Sequence, residues 1–214
     1  MKTFGLASFI SVVLAFPALA HPHLFLDTGL NPVFNADGQL AGVRVIWVYD
    51  EFYSLVLVEE NGFDQDGDMR LTEQEGAALA GFDQRPEEGF TGTTTLYLGD
   101  RLLDLSEPFQ PRVTMEAGRI ISTHLRLLET PLDIGEVPVF LRTFDPTYYA
   151  AFDLSLKPRI EGGAACTVAV VPPDTDAAQN TVESLMAKPD AGYDEDNYPE
   201  VGEIFATTLR LTCP

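Results

Sequence analysis

Positively charged side chains are scarce in this chain of 214 residues. It has 13 lysine and arginine residues against 33 aspartate and glutamate residues, which gives a formal net charge of −20. Such a surface repels the phosphates of nucleic acids and of anionic membranes, so we expect neither class as a partner. The same surface attracts cations, metal ions included.

Histidine and cysteine are also rare, with three and two residues respectively. Few bases are therefore present, and no serine or cysteine lies in a recognisable activating motif, so the sequence shows no hydrolase constellation. Asp50 and Glu51 are adjacent carboxylates that could form an acid/base pair. We interpret them instead as a helix cap followed by a solvated residue, because aspartate is a preferred cap. The sequence predicts no enzyme.

Long apolar runs are confined to the start of the chain. Lys2 precedes an apolar core at residues 4–16, which is too short to span a bilayer, and residues 18–20 form a small-residue cleavage site. We predict that residues 1–20 are a secretory signal peptide. The mature protein then begins at His21 and is expected to be periplasmic, with no direct membrane insertion after signal removal.

Residues 64–75, DQDGDMRLTEQE, match the loop of a calcium-binding EF-hand. This loop uses oxygen ligands at fixed positions, because calcium is a hard cation that takes six to eight of them. The predicted ligands are the side chains of Asp64, Asp66, Asp68, Thr72 and Glu75 and the backbone carbonyl of Arg70. The spacing therefore predicts a calcium site between two helices.

Met69 is the one departure from that motif, because the sixth position normally holds glycine. A non-glycine residue in a left-handed conformation costs about 1–2 kcal/mol. We therefore expect weak affinity, with a dissociation constant on the order of 10⁻⁴ M. The alternative interpretation is an acidic, solvated turn that binds no metal.

The predicted mature N-terminus suggests a second kind of metal site. His21 offers a free amine and an imidazole, and His23 or His124 would add another nitrogen, which suits copper, nickel or zinc. Pro22 has no amide hydrogen, so a chelate through the first two backbone amides is excluded. The alternatives are a frayed terminus that binds nothing and, for His124, a packed histidine in a strand.

The two cysteines, Cys166 and Cys213, lie in strand-like segments near the C-terminal end. One disulfide between them is the favoured prediction, since a secreted protein meets an oxidising environment. A pair of metal-binding thiolates is the less favoured alternative.

Alternating hydrophobicity predicts a mainly β protein with an α insertion (α+β). Residues 23–34 and 39–48 form a hairpin across the turn at 35–38. Further strands are predicted at 93–98, 101–105, 112–116, 119–128, 137–143, 150–156, 167–171 and 203–211, with one short helix near 181–187. We predict a single domain, residues 21–214, built as an antiparallel β-sandwich. An EF-hand-like helix–loop–helix, residues 50–82, is inserted after the second strand.

Four segments resemble, in the same order, a bacterial periplasmic family filed as domain of unknown function number 1007. They are residues 21–27, 47–54, 144–149 and 209–213. Members of that family are labelled as periplasmic components of an unknown transport system, and many are encoded beside nickel/cobalt-type efflux permeases. The resemblance implies a metal-handling role with a membrane metal permease as partner, and it adds cobalt to the possible ions. The family's loop more often has glycine where this chain has Met69.

Three function classes follow from these features. The first is a periplasmic metal-binding accessory of a transition-metal transport system, with calcium held structurally. The second is an interaction module stabilised by calcium that binds no transition metal. The third is a copper enzyme built on the N-terminal histidine, for which the sequence shows no substrate surface. The first class is the prediction carried forward.

Overall fold

A computed structural model describes residues 22–84, 93–163, 165–188, 192–193 and 198–214. The predicted signal segment and His21 lie outside these ranges. The strands are β1 (Leu24–Phe34), β2 (Leu40–Tyr49), β3 (Thr93–Leu98), β4 (Arg101–Leu103), β5 (Phe109–Glu116), β6 (Arg119–Leu132), β7 (Val139–Phe144), β8 (Ala150–Asp153), β9 (Thr167–Val171) and β10 (Thr208–Thr212). The helices are α1 (Glu51–Asn61), α2 (Glu73–Leu79) and α3 (Thr175–Met186), with 3₁₀ turns at Phe82–Gln84 and Gly202–Phe205. None of the helices in these ranges has the length and apolarity to cross a membrane.

The strands form two five-stranded sheets. The first sheet has the order β5-β6-β2-β1-β8, and the second has the order β4-β3-β7-β10-β9. Along each strand, alternate side chains face inward, and those of both sheets join one buried apolar cluster. Leu26, Val45 and Ile120 contribute from the first sheet, and Leu96 and Leu141 from the second. The mainly β prediction is confirmed.

One strand pair departs from the predicted antiparallel arrangement. Strands β1 and β8 run parallel, with Leu24 opposite Ala150 and Asp27 opposite Asp153. The prediction of a wholly antiparallel structure is therefore wrong at this edge. Strand β8 follows β7, which lies in the second sheet, so the chain enters the first sheet by crossing between sheets rather than through a hairpin turn. Only a hairpin turn would force the antiparallel direction.

The first hairpin shows how a turn sequence sets strand register. The side-chain oxygen of Asn35 accepts hydrogen bonds from the backbone N–H groups of Asp37 and Gln39, at 3.0 and 2.9 Å. Gly38 has φ 78°, a left-handed conformation that glycine adopts without a steric penalty. This turn places Phe34 opposite Leu40, and a bulge between Val33 and Phe34 then shifts the register so that Asp27 lies opposite Val48 on the outer face. The predicted hairpin is confirmed.

The C-terminal part of the chain confirms one prediction and shifts two element boundaries. Cys166 and Cys213 form the predicted disulfide. Strand β10 starts at Thr208 rather than at residue 203, because the preceding residues form the 3₁₀ turn. A β-carbon on Gly202 would collide there with the carbonyl oxygen of Asp145. Helix α3 starts earlier than predicted, because Asp174 caps it through the N–H of Ala177 at 3.0 Å.

Candidate metal centre

Helix α1 begins directly after Asp50 because that side chain caps it. Its carboxylate accepts a hydrogen bond from the backbone N–H of Tyr53 at 2.8 Å. The helix ends at Asn61, where Gly62 takes a left-handed conformation with φ 65°. The structure thus uses Asp50 as a helix cap, which was the favoured interpretation of the Asp50 and Glu51 pair.

Three carboxylates converge in the loop that follows α1. Asp64, Asp66 and Asp68 each offer one oxygen, and these oxygens all lie within 4.8 Å of one another. Asp64 is half-buried, while the other two side chains are exposed. Like charges held this close repel, and a divalent cation would remove that repulsion. Carboxylate oxygens are the ligands that calcium prefers.

The loop also takes the backbone conformation that the motif requires at its sixth position. The carboxylate of Asp64 accepts hydrogen bonds from the N–H groups of Asp68 and Met69, at 2.9 and 3.1 Å. Met69 has φ 61°, in the left-handed region. The chain therefore turns sharply where the motif has glycine, although the residue is methionine. The expected cost of about 1–2 kcal/mol falls on the loop as it stands in this structure.

Glu75 connects the end of the loop with its beginning. One carboxylate oxygen accepts a hydrogen bond from the N–H of Asp64 at 3.1 Å. The other accepts from the N–H and the hydroxyl of Thr72, at 2.8 and 2.7 Å. Thr72 in turn caps α2 through the N–H of Glu75. The hydrogen bonds from Thr72, followed by that from Asp64, lower the pKa of Glu75 and favour its ionised form.

The donors of this loop fit calcium better than a d-block ion, because the predicted side-chain ligands are all oxygens and none is nitrogen or sulfur. The side chains of Asp64, Asp66 and Asp68, with Thr72 and Glu75, would hold the ion. Arg70 is exposed and would contribute its backbone carbonyl. A bound calcium would supply positive charge to a loop that has five carboxylates.

The helix–loop–helix segment (residues 51–79) is fastened to the first sheet at two close contacts. The hydroxyl of Ser54, fully buried in α1, accepts a hydrogen bond from the N–H of Ile120 in β6 at 2.9 Å. In α2, a β-carbon on Gly76 would stand 2.5 Å from the carbonyl oxygen of Val113 in β5, so only glycine permits this approach. The loop therefore has a fixed position relative to the sheet.

A buried polar pair joins the two residues that flank this segment, Tyr49 at the end of β2 and Asp83 in the 3₁₀ turn after α2. The phenol of Tyr49 donates a hydrogen bond to the carboxylate of Asp83 at 3.0 Å, and both side chains are buried. Burial raises the pKa of Asp83, while nearby hydroxyls of Ser122 and Tyr49 oppose the rise. Burial, and then the charge of Asp83, raises the pKa of Tyr49. The Ser122 hydroxyl lies close to Asp83 without the alignment of a hydrogen bond.

Of the predicted nitrogen ligands, His21 lies outside the described residues. His23 is exposed at the start of β1, where its N–H donates to the carbonyl of Tyr149 at 2.8 Å. The rings of these two residues lie 5.0 Å apart. His23 is therefore attached to the edge of the first sheet, and its imidazole lies at the surface.

His124 lies in the core, where only 1% of it is exposed. Its ring packs edge-on against Trp47 at 4.9 Å. Burial, with a smaller contribution from the charge of Arg126, lowers the pKa of His124 to about 4. His124 in β6 lies opposite Val45 in β2, and Val45 lies opposite Leu30 in β1. Leu30 is seven residues from His23, which directly precedes β1. At about 3.3 Å per residue, this separation exceeds 20 Å, so the structure does not bring the two rings together.

A comparison with family models shows where this chain belongs. Residues 6–213 match the model of a family described as protein of unknown function, DUF1007. The chain belongs to this family. A relative of this DUF1007 chain from Haemophilus influenzae, described as an uncharacterized protein, is 23% identical over 221 residues. That alignment covers 100% of both chains.

The contacts that position the loop of this DUF1007 chain were not evident from its sequence. Ser54 and Gly76 look like ordinary helix residues, since their partners lie on strands distant in the chain. Met69 also has an unforeseen partner, because a β-carbon on Gly118 in the β5–β6 turn would stand 2.5 Å from its methyl carbon. The side chain of Met69 therefore lies against that turn. The nearest sequence signal was the short gap between the strands predicted at 112–116 and 119–128, which indicated nothing about the loop.

Changing Met69 separates the cost of its left-handed backbone from the value of its contact with Gly118. Met69→Gly and Met69→Ala both remove the contact, but only glycine adopts φ 61° without penalty. We expect Met69→Gly to be the more stable of the two by about 1 kcal/mol in urea denaturation without calcium. Equal stability of the two variants would show that the loop changes its conformation rather than bearing the strain.

Proposed function

We propose that this protein binds one calcium ion in the loop of residues 64–75 and uses it to stabilise the helix–loop–helix segment on the first sheet. The observation that carries the proposal is the convergence of Asp64, Asp66 and Asp68 within 4.8 Å at motif spacing. The left-handed backbone at Met69 supports it, because the motif turns at that position. The capping pair Thr72 and Glu75 supplies the remaining side-chain ligands at the start of α2.

The physical consequence of calcium binding would be a more rigid attachment of α1 to α2. Helix α1 ends just before the loop, and α2 begins in its last residues. Each helix is already attached to the first sheet, α1 through Ser54 and α2 through Gly76. A cation shared by the loop carboxylates would replace their mutual repulsion with attraction. Binding to the folded state alone stabilises that state by mass action. The ion would thus have a structural role.

A transition-metal accessory is the second candidate function, favoured by the placement of His23. Its imidazole is exposed and lies beside Tyr149. His21, two residues earlier, would add its amine and its imidazole to the nitrogen of the His23 ring. Neutral imidazole suits copper, nickel, zinc and cobalt. In this role the protein would act in the periplasm with a membrane metal permease. The disulfide between Cys166 and Cys213 fits an oxidising compartment.

Native mass spectrometry of the processed protein, purified after export, tests both candidates. We expect one bound calcium in the presence of millimolar calcium. Copper, nickel, cobalt and zinc are then added in turn to the calcium-bound protein and to a variant with one extra residue before His21. Tight binding of one of these ions by the first protein alone would support the accessory role. Equal binding by both proteins would remove the N-terminal chelate, and absence of a calcium adduct would overturn the calcium proposal.

A further inference from the structure

Strand β9 is an open edge of the second sheet. It pairs with β10 on one side, and no strand in the described ranges pairs with its other side. The backbone N–H and C=O groups of alternate residues therefore point away from the sheet, where an added strand can reach them. All residues of β9 except Val168 are exposed. The disulfide between Cys166 and Cys213 joins β9 to β10 and keeps this edge in place.

The other edges of the two sheets have features that hinder an added strand. Strand β4 has three residues and begins at the exposed Arg101, and β8 has four residues and ends at the exposed Asp153. Strand β5 contains Pro111 and a bulge between Phe109 and Arg112. Short strands, charges, proline and bulges are the usual protection of a sheet edge. Strand β9, with the sequence TVAVV, has no charge, no proline and no bulge in its pairing with β10.

The apolar core is also open at this edge. Val170 lies opposite Leu209, which is fully buried, so both side chains face the core. Val170 is nevertheless 46% exposed, and Val171 on the opposite face of the sheet is 45% exposed. A further strand beside β9 would cover apolar surface on both faces. Burial of apolar surface favours association.

The charges around β9 favour no charged partner and allow a second copy. The strand itself is uncharged, and the residue opposite Ala169 in β10 is the exposed Arg210. If two copies paired through β9, their Arg210 side chains would lie three strand spacings apart, about 14 Å. Salt screens exposed charges beyond about 8 Å at physiological ionic strength. The net charge of −20 on each copy opposes association, and salt screens this repulsion as well.

We propose that β9 is the contact through which two copies of this chain form a dimer. The two strands would run antiparallel about a two-fold axis at Ala169, so that Ala169 faces its own copy. Val168 then lies opposite Val170 of the second copy, and Thr167 lies opposite Val171. These pairs consist of β-branched residues, which pack well on a pleated surface, and no like charges meet. The pairing uses the free edge of both copies, so the assembly closes as a dimer.

Sedimentation equilibrium of the mature, calcium-bound protein over a range of concentrations tests the proposal. We expect a monomer–dimer equilibrium with a dissociation constant on the order of 10⁻⁴ M, because one strand pair buries less than a standard interface. Raising sodium chloride from about 0.05 M to about 0.5 M should tighten the dimer at least about twofold, because repulsion between two acidic copies is screened. Amides of alternate β9 residues should become protected from hydrogen exchange only at high protein concentration.

A charge at the two-fold axis should weaken the dimer without unfolding the monomer. Ala169→Glu places like charges opposite each other, and we expect about fivefold weaker association. Within one copy the new carboxylate lies opposite Arg210, so the melting temperature should be retained. Leu102→Glu is the matched control, because Leu102 is 55% exposed on β4 at the opposite edge of the same sheet. It adds the same charge and should change the dissociation constant by less than about twofold.

Cysteine substitutions test the register of the two strands. Ala169→Cys places two sulfurs at directly opposed positions, whose β-carbons lie near enough for a disulfide. We therefore expect a cross-linked dimer on mild oxidation of the folded protein. Val171→Cys is also exposed on β9 but would lie opposite Thr167 of the second copy. It should cross-link at least about tenfold more slowly, because its two sulfurs are too far apart.

A protein that stays monomeric at every concentration would overturn the proposal. In such a monomer, protected β9 amides would show that a segment of the same chain covers the edge, and unprotected amides would leave the edge to a chain of another protein. A dimer that weakens as salt is raised, or that persists unchanged in Ala169→Glu, would have its interface elsewhere and overturn the proposal too. So would equal cross-linking through both cysteines.

Discussion

A variant with Cys166 and Cys213 both changed to serine should have a free energy of unfolding about 4 kcal/mol below that of the parent. The disulfide closes a loop across a sequence separation of 47 residues, and the loop-entropy relation gives about this value. The bond joins the start of β9 to the end of β10, whose terminal residues Thr167 and Thr212 are paired. Loss of the bond would therefore also free the edge strand of the second sheet. Urea denaturation at pH 7 measures the difference.

The parent protein with its disulfide reduced is the matched control for the serine variant. It should lose nearly the same stability, because the two proteins then share an unconstrained unfolded chain. Both cysteines pack against the apolar core, so a greater loss in the serine variant would measure the cost of placing two hydroxyls there. A loss of less than about 1 kcal/mol in both proteins would contradict the entropic role of the bond.

Glu75→Gln should weaken calcium binding at least about tenfold and remove most of the calcium-dependent rise in melting temperature. The carboxylate is the expected ligand at the twelfth position, and it also joins Thr72 to Asp64. At a calcium concentration about 100-fold above the dissociation constant, the parent should melt about 5–10 °C higher than without calcium. Calorimetric titration and thermal melting with and without calcium measure the two effects.

Glu73→Gln is the matched control for this substitution. Glu73 is exposed in the first turn of the same helix, carries the same charge and has no position among the motif ligands. We expect Glu73→Gln to keep parental calcium affinity to within about twofold, since only a distant charge is lost. Equal weakening in both variants would show that general electrostatic attraction, rather than ligation by Glu75, holds the ion.

The free energy of unfolding of the parent should change with pH as the Glu75 carboxylate titrates. Its pKa in the folded protein lies below the ordinary value of 4.5, because Thr72 and Asp64 donate hydrogen bonds to the ionised form. The stability that this carboxylate contributes is therefore present above pH 4.5 and is lost as the pH falls through the lowered pKa. The glutamine variant lacks this titration, so the stability difference between variant and parent should shrink in acid.

The sequence by itself determined the features that depend on local spacing. The turn at Asn35 and Gly38 and the alternation on either side of it were enough to predict the first hairpin, because turn chemistry and strand period act between near neighbours. The disulfide followed from there being only two cysteines. The start of the helix before the loop was foreseen from Asp50, since that side chain caps it.

The tertiary structure decided everything that depends on partners distant in the chain. The parallel pairing of β1 with β8, the burial of His124 and the contact of Met69 with Gly118 each involve another element, and no local pattern specifies it. The cavity between Arg142 and α3 likewise forms only where β7, β10 and α3 come together. The sequence period determines which face a side chain occupies, whereas the packing of whole sheets and helices determines what that face meets.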